Sequence, residues 1–270
     1  MHTPAIDHNR LYNCRAKYVP DGQGGLKLAM VQGFDHPVFN PSRLKDESSR
    51  SGLAAEDQAE RELIGAADDI QRATRRAKIA AFDKILCNPD LDTFATFTYA
   101  PDCVDDKASY DDCYAVLAPW LSNRVQRRGL KYVIVPELHP TSGNIHFHAI
   151  MNSCALRLDR AYSAKTGRPL THAGNPLFNI ADWKSGFTSA EIIRGSALDR
   201  EKVAKYIFKY MGKQMGEKIG GRYVLSGGDL AGPHYVYGDS IEQLLDGSLV
   251  KYDREIEIPG GGKYFEFSTL

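Results

Sequence analysis

The sequence predicts an α+β fold whose strands form an antiparallel sheet. Strand-like and helix-like segments follow one another in the order strand, helix, hairpin, strand, helix. The hairpin consists of Lys131 to His139 and Ile145 to Asn152, both β-branched and aromatic, with the turn-rich Pro-Thr-Ser-Gly-Asn between them. Two strands joined by so short a turn pair in antiparallel orientation.

Segments on both sides of the hairpin supply the other elements. Leu53 to Leu86 is alanine-rich with helical spacing, and Thr93 to Tyr99 is typical of a strand buried in a sheet. Tyr110 to Arg128 repeats apolar residues at helical spacing. Phe187 to Ile193 predicts a further strand, and Leu198 to Met215 predicts the last helix of this series.

The remaining segments suggest a chain in three parts. Residues 1–52 contain a small N-terminal hairpin, Tyr12 to Tyr18 with Leu26 to Gln32, followed by a linker rich in Pro, Ser and charge. Residues 53–218 form the main domain. Residues 219–270 form a glycine-rich extension, in which short strands are expected at Tyr223 to Ser226, Tyr235 to Tyr237 and Tyr264 to Phe267.

Composition limits the setting in which the protein works. Lys and Arg number 34 and Asp and Glu also number 34, so no overall field attracts nucleic acid and local charge must do so. The five cysteines form no C-x-x-C pair, which indicates free thiols in a reducing compartment. The polar N-terminus does not resemble a signal peptide, and we expect a soluble, cytoplasmic protein with no membrane partner.

The hairpin register predicts a metal site. A four-residue loop, Thr141 to Asn144, would set His139 opposite His146 and Glu137 opposite His148. One face would then carry the polar side chains toward solvent, and the other only apolar ones. Glu137, His146 and His148 together suit Mn²⁺ or Mg²⁺ and would also accept Zn²⁺. The alternative is that His-x-His occurs by chance on a polar face.

The role of His139 stays open at this point. It could be a further ligand, a residue that orients a ligand, or an exposed histidine of the turn, and we favour the last.

Basic residues gather at the end of the second helix. Between Cys113 and Pro136 the sequence has no acid, while Arg124, Arg127, Arg128 and Lys131 provide four positive charges. We expect this helix end to lie next to the metal site and to contact DNA phosphates. Compensation of the helix dipole explains the same residues without DNA.

The segment Ser153 to Asp182 has weak periodicity and resembles an insertion on the sheet. Its cations and aromatic residues are typical of a loop that contacts nucleic acid. They are Arg157, Arg160, Tyr162, Lys165, Arg168 and Phe178.

The last predicted helix carries two tyrosines four residues apart, on one face. Lys209 follows Tyr206 by three residues and Lys213 follows Tyr210 by three, so each phenol has a neighbouring cation that favours phenolate. Lys205 on the same helix is a candidate DNA contact. Alternatively, the tyrosines are core residues of an amphipathic helix.

Taken together, these motifs resemble a rolling-circle replication initiator (Rep) of the HUH endonuclease superfamily. The matching segments are Phe94-Ala-Thr-Phe-Thr98, His146-Phe-His148 and Tyr206-Ile-Phe-Lys209-Tyr210, in this order between about Thr93 and Met215. The paired tyrosines resemble the two-tyrosine phage and plasmid replication proteins. Tyr206 also fits the single nucleophile of related plasmid initiators.

This resemblance implies a sheet of about five antiparallel strands with RRM-like, ferredoxin-like topology. Helices would pack on one face, and the tyrosine helix would lie over the metal site. It also implies nicking of single-stranded DNA or an origin hairpin through a 5′-phosphotyrosine link. A relaxase or transposase with the same chemistry, or a non-catalytic RRM-like binding protein, are the alternatives. The chain lacks a phosphate loop, so a host helicase and replication machinery would have to unwind the DNA in a bacterial host cell.

Overall fold

The fold is known from a computed structural model of the 270-residue chain. It describes residues 6–7, 10–20, 26–32, 39, 41, 69–194, 202–205, 224–245, 250–258 and 262–269. The chain divides into two compact units, one formed by residues 1–70 with 232–270 and the other by residues 71–231. The first and last parts predicted from the sequence therefore contribute to one unit.

The unit of residues 71–231 is built on one antiparallel sheet. Its central strands are β3 (Thr93–Tyr99), β4 (Tyr132–Leu138), β5 (Ile145–Met151) and β9 (Gly186–Ile192). The smaller strands are β6 (Leu158–Arg160), β7 (Thr171–His172), β8 (Asn175–Ile180) and β10 (Leu225–Gly227). The order is β10-β4-β5-β3-β9-β8-β6, with β7 paired to β8. The α+β class is confirmed, and the described residues form an eight-stranded sheet rather than one of about five.

The segment predicted as an insertion belongs to this sheet. It contains β6, β7 and β8, and β8 pairs with β9. Its periodicity is weak because these strands are short and half-exposed, so no apolar face repeats along them.

Helices cover both faces of the sheet. Helix α2 (Tyr110–Arg128) packs Cys113, Leu117 and Leu121 against one face, where Phe147 and Ala149 of β5 are buried. Helix α1 (Asp69–Cys87) packs Ala81 and Ile85 against the opposite face. The expectation that helices cover a single face is therefore wrong, since the second face is also apolar at one end.

Local sequence explains the bounds of α2. The hydroxyl of Ser109 accepts a hydrogen bond from the N–H of Asp112 at 3.3 Å, which caps the helix start. Gly129 ends the helix with φ 66°, a left-handed conformation that favours glycine. Helix α2 and strand β3 have the bounds that the sequence predicted.

The other unit is a five-stranded antiparallel sheet in the order β11-β1-β2-β13-β12. Its strands are β1 (Cys14–Pro20), β2 (Leu26–Gln32), β11 (His234–Gly238), β12 (Val250–Ile258) and β13 (Gly262–Thr269). The short helix α3 (Ile241–Leu245) packs Ile241 and Leu244 on its core. The predicted N-terminal hairpin is confirmed as β1 and β2, while β12 and α3 were not predicted.

Two expectations about the whole chain can be compared with the structure. All five cysteines are free, as expected. None of the helices in the described ranges combines the length and the apolar character that a membrane crossing requires.

Candidate functional site

The β4–β5 hairpin pairs its strands two residues away from the predicted register. Glu137 faces His146 and Val135 faces His148, whereas the predicted register set Glu137 opposite His148. Because the shift is an even number, the same side chains share a face. The loop is Pro140 to Gly143, closed by the His139 N–H bonded to the Asn144 oxygen at 2.8 Å.

Two residues explain this shift of the loop. Pro140 has no N–H to donate to a ladder, so a position in the loop costs it no hydrogen bond. Gly143 adopts φ 69°, which suits the end of a turn.

Glu137 and His148 nevertheless touch, on a diagonal across the ladder. Glu137 Oε2 lies 2.7 Å from His148 Nε2, and the two residues are only 4% and 6% exposed. The Thr96 hydroxyl lies 3.1 Å from His148 Nδ1, and the Phe94 ring stacks on the imidazole with centroids 6.1 Å apart. The imidazole of His148 is therefore held at both nitrogens and on one face.

His146 occupies the neighbouring position on the same face and is half-buried. Burial lowers the pKa of His146, and the nearby His139 and His148 lower it further, against an opposing effect of Glu137. A lowered pKa keeps the imidazole neutral at neutral pH. Its nitrogen lone pair is then available to an ion or to a hydrogen-bond donor.

His139 belongs to the turn, as the favoured interpretation held, although it is half-buried rather than exposed. Its Nδ1 accepts the backbone N–H groups of Thr141 at 3.4 Å and Ser142 at 3.3 Å. Its ring centroid lies 5.0 Å from that of His146.

The face that carries Glu137, His146 and His148, called the site face below, is less open than the sequence suggested. Val133, Val135 and Ile150 also lie on it and form a core with α1. The expectation that all the polar side chains point to solvent is therefore wrong for Glu137 and His148, because α1 covers the site face beside them.

An ion between Glu137 and His148 would lie between atoms that are already close. Metal bonds of about 2.0–2.2 Å separate two donors by about 3 Å, so the 2.7 Å hydrogen bond needs to open only slightly. As they stand, no three His, Cys, Asp or Glu side chains within the described ranges are grouped closely enough to hold an ion. The carboxylate and imidazole donors fit Mn²⁺ or Mg²⁺ by type.

The predicted catalytic residues Tyr206, Lys209, Tyr210 and Lys213 lie outside the described residues. The segment just before them, residues 202–205, is helical. Ala204 is buried in the same core as Val133, Val135 and Ile150, so the chain packs on the site face two residues before Tyr206. Lys205 is exposed.

The predicted DNA contacts of α2 do not lie next to the site. Helix α2 packs on the opposite face of the sheet, and its last turn precedes the start of β4, whereas Glu137 is near the end of β4. Arg124 lies 3.5 Å from Asp182, and Lys131 lies 3.0 Å from Asp90. Arg127 and Arg128 are exposed. The expected proximity is wrong because α2 packs through the apolar face of the hairpin.

Phe94 and Thr96 had no individual role in the sequence-based prediction of the site. Both belong to the Phe94-Ala-Thr-Phe-Thr98 strand, in which Ala95 and Phe97 are buried on the other face. The period-two alternation of this strand, once combined with the pairing of Thr96 with His148, places them on the site face. Without the pairing, the alternation alone does not say which set of residues faces the histidines.

Comparison with known families gives one match. Residues 92–215 match the model of a family described as replication-associated protein ORF2. This span begins just before β3 and includes the hairpin and the sequence that contains both tyrosines. Comparison with curated proteins gives no match, and comparison with solved structures gives none.

Proposed function

We propose, from a family match that supports a Rep-like replication initiator, that this chain nicks single-stranded origin DNA and later rejoins it. The observation that carries the proposal is the contact between Glu137 and His148 on the site face, on which the chain leading to Tyr206 also packs. A carboxylate, two imidazoles and the start of the tyrosine segment thus share one side of the sheet.

Glu137, His146 and His148 would hold the divalent ion, Mn²⁺ or Mg²⁺. When bound, such an ion withdraws electron density from a phosphate oxygen and makes the phosphorus easier to attack. His148 is oriented by Thr96 and Phe94, so its Nε2 is directed toward Glu137 rather than free to rotate. His146 remains neutral through its lowered pKa and can donate its lone pair.

In the proposed reaction a tyrosine phenol attacks the scissile phosphate. The phenol loses its proton, its oxygen forms a bond to phosphorus, and the bond from phosphorus to the 3′ oxygen breaks. The released 3′ oxygen takes up a proton, which leaves a 5′-phosphotyrosine link and a 3′-hydroxyl that can prime synthesis. Lys209 and Lys213, each three residues after a tyrosine, would stabilise the phenolates.

We assign the first attack to Tyr206 and the second transfer to Tyr210. Tyr206 lies nearer the start of the predicted helix, where the dipole favours a phenolate. A second nucleophile allows a second cleavage before the first link is resolved, which suits rejoining of a circle. In this proposal the protein acts in the cytoplasm of a bacterial host, together with a host helicase and the replication machinery.

The test is to map the covalent adduct. Wild-type protein is incubated with single-stranded origin oligonucleotides with and without Mn²⁺, and the DNA-linked peptide is identified by mass spectrometry. We expect an ion-dependent adduct on Tyr206, which Tyr206→Phe removes and Tyr210→Phe retains. The matched control is Tyr252→Phe, an exposed tyrosine in the other unit.

Each other outcome identifies a different function. An adduct only on Tyr210 reverses the order of the two tyrosines. Binding without an adduct points to the non-catalytic RRM-like protein. Cleavage of a transfer or transposon-end sequence in preference to a replication origin points to a relaxase or transposase.

A further inference from the structure

Phe187 is the most exposed large apolar residue in the described part of the chain, at 73%. It lies in the second position of β9, within a sheet whose other phenylalanines on β3 and β5 are buried or half-buried. Packing among the described residues of the unit does not account for this aromatic ring in water. Its position relative to the site suggests what it binds.

Phe187 is on the site face. Thr96 pairs with Ser189 and its hydroxyl contacts His148, so Ser189 lies on the same face as His148. Phe187 is two residues from Ser189 and therefore on that face as well. Thr188 between them points the other way, where its hydroxyl accepts the Ile180 N–H at 2.7 Å.

The register also aligns Phe187 with His146. Phe187 pairs with Thr98. Phe97 pairs with Phe147, so Thr98 comes opposite His146 in the same row. Phe187 and His146 are therefore two strands apart, about 10 Å at the usual strand spacing.

The backbone presents the Phe187 ring rigidly. The Thr98 hydroxyl donates to the Phe187 carbonyl at 3.0 Å. Gly186 approaches β3 so closely that a Cβ placed there would collide with the Thr98 carbonyl oxygen. A ring fixed in this way loses little conformational freedom when a flat group stacks on it.

A positively charged projection is attached beyond Phe187 on the same face. We call residues 161–177 the basic arm. Residues 164–175 are all exposed, Tyr162 is 60% exposed, and no acid occurs between Asp159 and Asp182, while Lys165 and Arg168 lie in the arm.

Backbone hydrogen bonds shape the arm. The Ser163 N–H bonds to the Arg168 oxygen at 2.8 Å, and the Leu170 N–H bonds to the Ala161 oxygen at 2.9 Å. The arm is thus folded although most of its side chains are not buried.

The arm is fixed to the site face by Glu191. Glu191 is two residues beyond Ser189 and pairs with Phe94, which stacks on His148. The Glu191 carboxylate accepts the Asn175 amide at 2.7 Å and lies 3.0 Å from His172 Nδ1. The basic arm, Phe187 and the candidate metal residues therefore share one side of the sheet.

We propose that Phe187 and the basic arm bind the unpaired nucleotides adjacent to the scissile phosphate. A nucleobase stacks on Phe187, and Lys165 and Arg168 contact the phosphates that follow it. An exposed aromatic ring next to acid-free basic chain is the combination that single-stranded nucleic acid requires. This inference rests on the proposed function, because it takes the scissile phosphate to lie at His146 and His148.

The first experiment measures stacking without cleavage. Oligonucleotides with 2-aminopurine at successive positions around the nick site are titrated with protein in EDTA, and quenching and affinity are recorded. We expect one or two positions to be quenched by wild type and by Phe187→Tyr. Phe187→Ala should lose the quenching and bind about tenfold more weakly. Tyr252→Ala, which removes an exposed aromatic of the other unit, is the matched control.

The second experiment measures phosphate contacts. We expect Lys165→Ala with Arg168→Ala to reduce the slope of log affinity against log salt by about 1.4, since each lost contact on a single strand is worth about 0.7. Arg127→Ala with Arg128→Ala tests the rival surface on the opposite face. A reduced slope for that pair and an unchanged slope for the arm pair would overturn the inference.

The outcomes separate this inference from the proposed function. If wild type forms the phosphotyrosine adduct but Phe187→Ala keeps both quenching and affinity, the nucleotide site is refuted and the nuclease stands. If wild type forms no adduct yet the Phe187 and arm variants lose binding, the nuclease fails and the binding surface stands. If Phe187→Ala changes only the sedimentation of the protein, the nucleotide site is likewise refuted and the ring belongs to an interface between copies.

Discussion

His148 Nε2 lies 2.7 Å from Glu137 Oε2, although the ladder pairs Glu137 with His146. The contact crosses the hairpin diagonally, and it joins the two most buried members of the proposed ligand set. Removing these two residues should therefore have structural consequences that removing His146 does not.

We predict that His148→Ala destabilises the unit of residues 71–231 more than His146→Ala. His148 packs on Phe94 and contacts Glu137 and Thr96 in a buried setting, whereas His146 is half-buried. The expected loss in free energy of unfolding is roughly 3 kcal/mol for His148→Ala and about 1 kcal/mol for His146→Ala. Urea unfolding followed by circular dichroism measures both. Equal losses would mean that the Glu137–His148 contact adds no stability.

We predict that Thr96→Val weakens Mn²⁺ binding by about 10- to 100-fold without unfolding the protein. The Thr96 hydroxyl lies 3.1 Å from His148 Nδ1, and valine has a similar shape but no hydroxyl. Thr96→Ser keeps the hydroxyl and serves as the control. Isothermal titration with Mn²⁺ measures the affinity, and wild-type affinity in Thr96→Val would show that this hydroxyl does not orient the ligand.

Two buried thiols should report separately on the two units. Burial raises the pKa of Cys14 in one unit and of Cys113 in the other to about 11, so each remains a thiol at pH 8. Cys154 is exposed. We expect a thiol reagent at pH 8 to label Cys154 first and Cys14 and Cys113 only as each unit opens, which peptide mass spectrometry can follow.

The sign of the pH effect on stability follows from the same shifts. The stabilising effect of the raised pKa is present below about pH 8.5, where an unfolded thiol ionises, and declines as pH rises toward about 11. Cys14→Ser and Cys113→Ser should each flatten this decline in their own unit. Rapid labelling of either cysteine in folded protein would contradict its burial.

We predict that Gly186→Ala destabilises the sheet at the start of β9 by roughly 3 kcal/mol. Gly186 has φ 152°, and a Cβ there would collide with the Thr98 carbonyl oxygen and lie 2.7 Å from the Ala100 nitrogen. Gly232→Ala is the control, since a Cβ there meets no atom within 4 Å. Thermal unfolding of both variants measures the difference, and a wild-type midpoint for Gly186→Ala would mean that β9 does not approach β3 this closely.

Local sequence was sufficient for the elements around the site. The bounds of β3 and α2 agree with the prediction, because apolar periodicity, the Ser109 cap and Gly129 act within a few residues of the chain. The hairpin was also predicted, and its two faces were sorted correctly because a shift of two residues preserves period-two alternation.

The sequence by itself therefore determined an α+β chain with a β4–β5 hairpin that places Glu137, His146 and His148 on one face. Only the tertiary structure decided that Glu137 contacts His148, that α1 covers part of that face, and that α2 with its arginines lies on the other. It also joined β1 and β2 to β11 and β13 across more than 200 residues, and fixed the basic arm to Glu191. These features depend on pairing and packing between distant segments, which apolar periodicity within one segment does not encode.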